Sequence, residues 1–124
     1  NLGRFLRKIR TRYELEGDVI RVEGHTDDVP MGKKLKYSNN WELSVARATN
    51  VGVFMIEKNG YDPDLISITG HADTRPRVSY TSKTGQRKLG KVLKEARKAN
   101  RRVDLIFARP AASEQIRRFF PEQE

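Results

Sequence analysis

Two short segments of the chain nearly repeat each other: Val22-Glu23-Gly24-His25-Thr26-Asp27 and Ile68-Thr69-Gly70-His71-Ala72-Asp73. In each segment an apolar stretch ends in Gly-His-x-Asp, the pattern of a strand that stops at a polar loop. A segment with helical spacing lies between them, at about 41–58. A crossover of this length is typical of a right-handed βαβ unit. The two strands are therefore predicted to be parallel neighbours whose polar ends lie side by side.

The spacing of apolar residues outside this unit predicts the other elements. The central helix is expected to begin with a capping box between Asn39 and Glu42 and to stop at Asn59-Gly60. A polar loop at 25–40 precedes it and is long enough to suggest a functional role. The remaining predicted elements are a second amphipathic helix at about 86–99, a third strand at 103–107 and a helix at 113–120.

These elements fit one domain of 124 residues. Its core is predicted at about 18–108, with a leading helix in 1–16 and a tail or helix in 109–124. The predicted fold class is α+β: a two-layer, βαβ-containing sandwich with a small mixed sheet and helices packed on one face.

Positive charge is concentrated in one part of the chain. The stretch from Lys83 to Arg102 contains nine basic residues and one acid, Glu95, so it carries +8 of the total net charge of +9. Such a segment favours an anionic partner, which could be nucleic acid, a membrane surface or an anionic polymer. The basic residues are Lys83, Arg87, Lys88, Lys91, Lys94, Arg97, Lys98, Arg101 and Arg102.

The sequence contains no cysteine, which excludes disulfides and thiolate metal sites. No run of about 20 apolar residues could cross a membrane. The chain begins at Asn1, and we expect it to be a fragment whose membrane anchor or targeting signal lies upstream.

Several polar side chains near the two strand ends could hold a divalent metal: His25, Asp27, His71 and Asp73. A metal-dependent hydrolase is therefore one class of function to consider. Neither histidine belongs to a spaced ligand pair, however, and Gly-His followed by polar residues is more often a turn. The chain also lacks a nucleophile elbow and a glycine-rich phosphate loop. We therefore expect no catalytic residue, no metal and no cofactor.

Two arginine positions have both a structural and a functional interpretation. Arg47 lies one turn beyond Leu43 on the central helix, and periodicity alone allows it to belong to a solvated stripe. Asn100-Arg101-Arg102-Val103 stands at the entry to the last strand. It could protect a sheet edge from aggregation or contact an anion through a guanidinium.

Four motifs follow one another at compatible spacing: Gly24-His25-Thr26-Asp27, Asn40-x-x-Leu43-Ser44-x-x-Arg47-Ala48, Gly70-x-x-x-x-Arg75-Pro76 and Asn100-Arg101-Arg102-Val103. This series resembles the OmpA-like C-terminal domain family, whose members bind peptidoglycan in the bacterial periplasm. The resemblance runs from about Val19 to Phe107. Asp28-Val29-Pro30 after the first motif, the extended loop and the segment 38–44 are similar to the MotB branch, whose members are flagellar motor stator subunits that anchor to the cell wall.

The resemblance implies a ligand and a site. The ligand would be the peptide stem of peptidoglycan, through the ammonium and carboxylate of diaminopimelate. By the family pattern, Asp27 and Arg47 would bind these two charges. Thr26, Asn40 and Leu43 would line the pocket, and Arg101 would add an anion contact.

The chain departs from the family pattern at two places. The second motif reads Gly70-His71-Ala72, where many relatives have Gly-Tyr-Gly, and the segment 77–99 is longer and more basic than usual.

The predicted function is a non-catalytic, periplasmic wall-binding module of a membrane-anchored bacterial protein, expected to act as a homodimer in a MotB-type stator. The alternatives are an OmpA/Pal-type outer-membrane wall anchor and, from another class, a basic nucleic-acid-binding domain.

Overall fold

The computed structural model describes residues 2–8, 19–32 and 35–108. Residues 2–8 are helical, and the rest of the predicted leading helix lies outside the described residues, as does the tail with its predicted helix at 113–120. The elements that follow are β1 (Val19–His25), α1 (Asn40–Asn59), a 3-10 turn (Pro63–Leu65), β2 (Ile66–Gly70), α2 (Gly90–Asn100) and β3 (Arg102–Ala108).

The three described strands form one mixed sheet in the order β2-β1-β3. β1 is parallel to β2, with Gly24 opposite Gly70, and antiparallel to β3, with Gly24 opposite Val103. The ladder between β1 and β2 continues past the strand ends, because the Thr26 N–H donates to the Ala72 carbonyl at 2.8 Å. The α+β class and the parallel neighbouring strands predicted from the repeated motif are confirmed.

The apolar core lies between the sheet and α1. Ile20 and Val22 of β1 are fully buried against Ala48 and Met55 of α1. Leu6 and Tyr61 complete the cluster, and the Tyr61 hydroxyl donates to the Leu6 carbonyl at 2.6 Å. This bond attaches the helical residues 2–8 to the side of the core.

Two glycines allow α1 to approach the sheet closely at its carboxyl edge. A Cβ on Gly24 would lie 2.0 Å from the Ser44 carbonyl oxygen. One on Gly70 would lie 2.6 Å from Ser44 Oγ and 2.8 Å from the Val45 nitrogen. The buried Ser44 hydroxyl donates to the Trp41 carbonyl and accepts from the Ala72 N–H. The glycines of the repeated motif therefore provide space for a helix, and neither has a positive φ.

The ends of α1 follow the sequence signals. Asn39 is the N-cap, and its side chain accepts from the Glu42 N–H at 2.9 Å, while the Glu42 carboxylate accepts from the Ser38 N–H at 2.8 Å. Gly60 ends the helix at φ 71°, a left-handed conformation that costs glycine little. The predicted stop signal is confirmed. The predicted capping box is half formed, because the Glu42 carboxylate binds the Ser38 N–H and not the N–H of the N-cap Asn39.

The predicted start of the second helix, at residue 86, is wrong by four residues. Residues 80–88 instead form a short hairpin in which the Lys88 N–H donates to the Tyr80 carbonyl at 2.9 Å. Gly85 turns this hairpin at φ 85°, and Gly90, at φ 56°, leads the chain into α2. Both positions favour glycine. The helix therefore begins at Gly90, later than the spacing of apolar residues suggested. Within the described residues, α2 supplies no member of the core cluster.

Gly24→Ala is expected to destabilise the domain by about 2 kcal/mol or more, because the new Cβ collides with helix backbone that cannot rotate away. Equilibrium urea unfolding measures the change. Gly32→Ala is the matched control, because the nearest atoms to its Cβ are the flexible end of Leu35 at 3.8 Å. Equal stability of Gly24→Ala and the wild-type chain would contradict the close contact.

Candidate functional site: a charged pocket beyond the end of the first strand

A pocket of about 460 Å³ opens where β1 ends and α1 begins. All six side chains that the family resemblance singled out contribute to its wall, although they come from three separate parts of the chain. The described lining residues are Thr26, Asp27, Val29, Pro30, Met31, Leu35, Lys36, Tyr37, Asn40, Leu43, Arg47 and Arg101.

The Asp27 carboxylate is held in place on both of its oxygens. Oδ1 accepts from the Val29 N–H at 3.0 Å, and Oδ2 accepts from Arg101 Nη1 at 2.7 Å. The Asp27 side chain is 14% exposed, whereas that of Arg101 is 41% exposed. Each carboxylate oxygen still has a second lone pair for a donor from the pocket, so Asp27 can accept a cationic group without losing these bonds.

Arg47 differs from the other charged groups of the pocket. It projects from the second turn of α1 and is half-buried. Among the described residues, no side chain or carbonyl forms a hydrogen bond or ion pair with its guanidinium. Its five N–H donors are therefore available to an oxygen anion, which a guanidinium can bind through two parallel hydrogen bonds. A carboxylate ligand would fit this need.

The loop that closes the pocket is fixed by neutral hydrogen bonds. The buried Thr26 hydroxyl donates to the Asp27 carbonyl at 2.9 Å, and Asn40 Nδ2 donates to the Val29 carbonyl at 3.1 Å. Thr26 and Asn40 therefore hold the loop in place as well as lining the pocket.

Sequence reasoning missed the apolar part of the wall. Leu43, the one apolar residue of the predicted set, faces a group from the loop: Val29, Pro30, Met31, Leu35 and Tyr37. The only available signal was the length of the 25–40 loop. These residues have no periodicity that would assign them to a common surface.

Asp28 was also missed, and it connects the loop to the basic segment. Its carboxylate accepts from Arg97 Nε at 2.8 Å and forms an ion pair with Arg87. Burial alone would raise the pKa of Asp28, but the hydrogen bonds from Arg97 and Arg87 outweigh burial and lower this pKa below 3.8. The residue that follows the pocket carboxylate is thus bound to both the hairpin and α2.

The basic segment is less available to outside anions than its charge suggested. Four of its arginines form ion pairs within the domain: Arg87 and Arg97 with Asp28, Arg101 with Asp27, and Arg102 with Asp104. These contacts give the arginines of the segment a structural role, which the sequence pattern could not show.

The four side chains considered as metal ligands do not all lie close together. His25 and His71 stack with their ring centroids 5.0 Å apart, but the carboxylate beside them belongs to Glu23. Asp27 instead lines the pocket with Arg47, and Asp73 is an exposed turn residue. The four-residue metal grouping considered in the sequence analysis therefore does not form, because its two aspartates lie elsewhere.

The sequence model of the OmpA family matches residues 1–90 of the chain. The chain belongs to the OmpA family. The match includes both Gly-His-x-Asp motifs and the whole of α1, but it ends before the fourth motif of the predicted resemblance, Asn100-Arg101-Arg102-Val103.

Proteins similar to this OmpA-family domain include members of the MotB branch. Motility protein B of Bacillus subtilis is 34% identical over 95 residues, which cover 77% of this chain and 32% of that protein. The periplasmic domain of Helicobacter pylori MotB has a TM-score of 0.64 and 26% identity over 86% of this chain and 59% of that one. The chain spans about a third of the length of Motility protein B.

A third similar protein comes from a type VI secretion system. The cell wall anchor of the type VI secretion system from Pseudomonas aeruginosa has a TM-score of 0.60 and 30% identity, over 84% of this chain and 64% of that one. Within the described part of the OmpA-family domain, no helix combines the length and apolar character needed to cross a membrane.

Asp28→Asn is expected to lower the free energy of unfolding by about 1 kcal/mol at pH 7. The folded state lowers the pKa of Asp28, so the stability it adds is present above about pH 4 and is lost as pH falls through the folded pKa. The difference between wild type and Asp28→Asn should therefore shrink from pH 5 to pH 2, as measured by urea unfolding. Asp64→Asn, on the distant 3-10 turn, is the control for loss of one negative charge, and a constant difference for Asp28→Asn would contradict the ion-pair account.

Proposed function

We propose that this OmpA-family domain is a non-catalytic module that binds the peptide stem of peptidoglycan and anchors its parent protein to the cell wall. The observation that carries the proposal is the half-buried Arg47, which has no partner among the described residues and shares a pocket with the Asp27 carboxylate. Binding would use charge-paired hydrogen bonds, with no bond of the ligand broken.

The charges of the pocket suit a ligand that carries both signs but is negative overall. Asp27 could accept the ammonium of a diaminopimelate residue, and Arg47 could bind the neighbouring carboxylate through two parallel hydrogen bonds. Lys36 and Arg101 also line the pocket, so its described side chains have three positive charges and one negative charge. A stem peptide has further carboxylates that this excess could bind.

The apolar wall supports a ligand with aliphatic parts. Leu35 is 60% exposed and Val29 is 44% exposed, although both line the pocket. Covering such side chains with the methylene groups of a stem peptide would remove apolar surface from water, which is favourable.

At the level of the whole protein, we propose a MotB-type stator subunit with this domain in the periplasm, a membrane anchor upstream and a homodimeric state. The relatives named Motility protein B and MotB support this proposal. An OmpA/Pal-type outer-membrane anchor is the alternative within the family. Sedimentation equilibrium tests the dimer: a mass of 14.3 kDa at every concentration would contradict it for this chain.

The nucleic-acid alternative has less support from the structure. Asp27, Asp28 and Asp104 offset three of the four positive charges on the arginines that pair with them. The basic segment also lacks aromatic side chains spaced for base stacking, apart from Tyr80 under Arg87.

The test is sedimentation of the purified domain with insoluble peptidoglycan. Asp27→Asn keeps side-chain size, Arg47→Gln keeps a polar but shorter side chain, and each removes one charge. Each is expected to weaken binding by about 30-fold or more, because truncating one partner of a desolvated charge pair costs at least about 2 kcal/mol. The wild-type domain should still sediment with peptidoglycan in moderate salt.

Asp64→Asn and Arg77→Gln are the matched controls, since they make the same charge changes at exposed positions outside the pocket. Circular dichroism of all four variants checks that the fold survives. If the pocket and control variants bind equally and salt abolishes binding, the domain attaches to polyanions through its surface lysines and the proposed site is wrong.

A further inference from the structure

We propose that Glu23, His25 and His71 form a binding site for a divalent transition metal, with Zn²⁺ as the preferred ion. One nitrogen from each histidine and one oxygen from Glu23 all lie within 4.8 Å of one another. This site is separate from the peptide pocket, and the proposal does not depend on peptidoglycan binding.

The sheet itself brings the three side chains together. Ile20, Val22 and Gly24 of β1 face α1, so Glu23 and His25 point to the opposite face of the sheet. His71 follows β2 directly, and its N–H donates to the Gly24 carbonyl at 3.0 Å. This bond extends the parallel ladder by one residue and sets the two imidazoles side by side.

The geometry within the cluster is close to that of a coordination site. The imidazole rings are stacked with centroids 5.0 Å apart and an interplanar angle of 22°. His71 Nε2 lies 3.0 Å from Glu23 Oε1. Zinc ligands sit about 2.0–2.2 Å from the ion and therefore about 3.4 Å from one another. Donor atoms up to 4.8 Å apart have to close by up to about 1.4 Å, and the stacked rings have to turn so that their lone pairs converge.

His25 gives an independent reason to expect a ligand. The residue is 2% exposed, yet neither of its ring nitrogens has a hydrogen-bond partner among the described residues. Its Nε2 lies 3.3 Å from Asp104 Oδ2, but without the geometry of a hydrogen bond. Buried polar groups in folded proteins are nearly always satisfied, and a metal ion would satisfy one of these nitrogens.

The donor set selects the class of metal. Two imidazoles and one carboxylate suit Zn²⁺, Co²⁺, Ni²⁺ or Cu²⁺, whereas Mg²⁺ and Ca²⁺ prefer an all-oxygen set. Three protein ligands would leave a fourth position for water or for Asp104, which lies opposite Glu23 on β3. A metal here would join the ends of β1 and β2 immediately before Thr26, a residue that lines the peptide pocket.

The experiment uses the 124-residue chain, free of any affinity tag and of metal. Titration with Zn²⁺ by isothermal calorimetry should show one saturable site, and Co²⁺ should produce visible absorption bands of an ordered complex. At Zn²⁺ about 100 times the Kd, the midpoint of thermal unfolding should rise by roughly 10 °C. Mg²⁺ and Ca²⁺ should produce none of these effects.

The two histidines of the chain, His25 and His71, also provide a spectroscopic test. In imidazole ¹⁵N NMR spectra, one nitrogen of each ring should shift on addition of Zn²⁺ at a ratio of one to one. A response from only one ring, or from neither, would overturn the proposal.

Variants distinguish coordination from general attraction of cations. His71→Gln and Glu23→Gln each remove a ligand while keeping hydrogen-bonding capacity, and both should abolish the saturable Zn²⁺ site. Asp104→Asn should weaken it by about tenfold or more if Asp104 supports the site. Asp73→Asn is the matched control, since it removes an exposed carboxylate two residues from His71 and should leave Zn²⁺ affinity unchanged. Equal affinity of wild type, His71→Gln and Glu23→Gln, or equal loss in Asp73→Asn, would contradict the site.

Discussion

The contact between α1 and the paired glycines of β1 and β2 positions most of this domain. Gly24 and Gly70 lie opposite each other in the parallel pair, and the backbone of α1 at Ser44 rests directly on both. The Ser44 hydroxyl then bonds the Ala72 N–H, so the turn after β2 is tied to the helix as well. Ala72 itself has φ 52°, a left-handed conformation that costs alanine more than it would cost glycine.

The peptide pocket is a consequence of that contact. Because α1 begins so close to the end of β1, the loop that follows Gly24 has to turn away from the sheet before it enters the helix. Asp27 on this loop and Arg47 on α1 then line one cavity, with Arg101 added from the segment before β3. Asp27 is held by the Val29 N–H and by Arg101 before any ligand arrives, which reduces the ordering cost of binding at this carboxylate.

Some charged groups of the domain pair with one another, whereas Arg47 forms no ion pair among the described residues. Asp28 pairs with Arg87 and Arg97 and so attaches the hairpin and α2 to the loop after β1. Asp27 pairs with Arg101, which directly follows α2, whereas the Asp104–Arg102 pair lies within β3. This attachment matters because α2 contributes nothing to the described apolar core cluster. Arg47 forms no ion pair among the described residues, and this is the observation on which the proposed ligand site rests.

The sequence by itself determined the order of elements, the parallel pair of strands, the capping of α1 and the membership of the OmpA family. These follow from local patterns: period-two strands, helical spacing, cap residues and four ordered motifs. The tertiary structure decided which charges meet. Asp27 and Asp73 occupy equivalent places in two similar motifs, yet Asp27 lines a pocket with Arg47 and Asp73 lies exposed in a turn. Likewise, Glu23 joins the two histidines only because strand pleating turns it to their face of the sheet. Such groupings depend on contacts between residues that are distant in sequence, and no local pattern records those contacts.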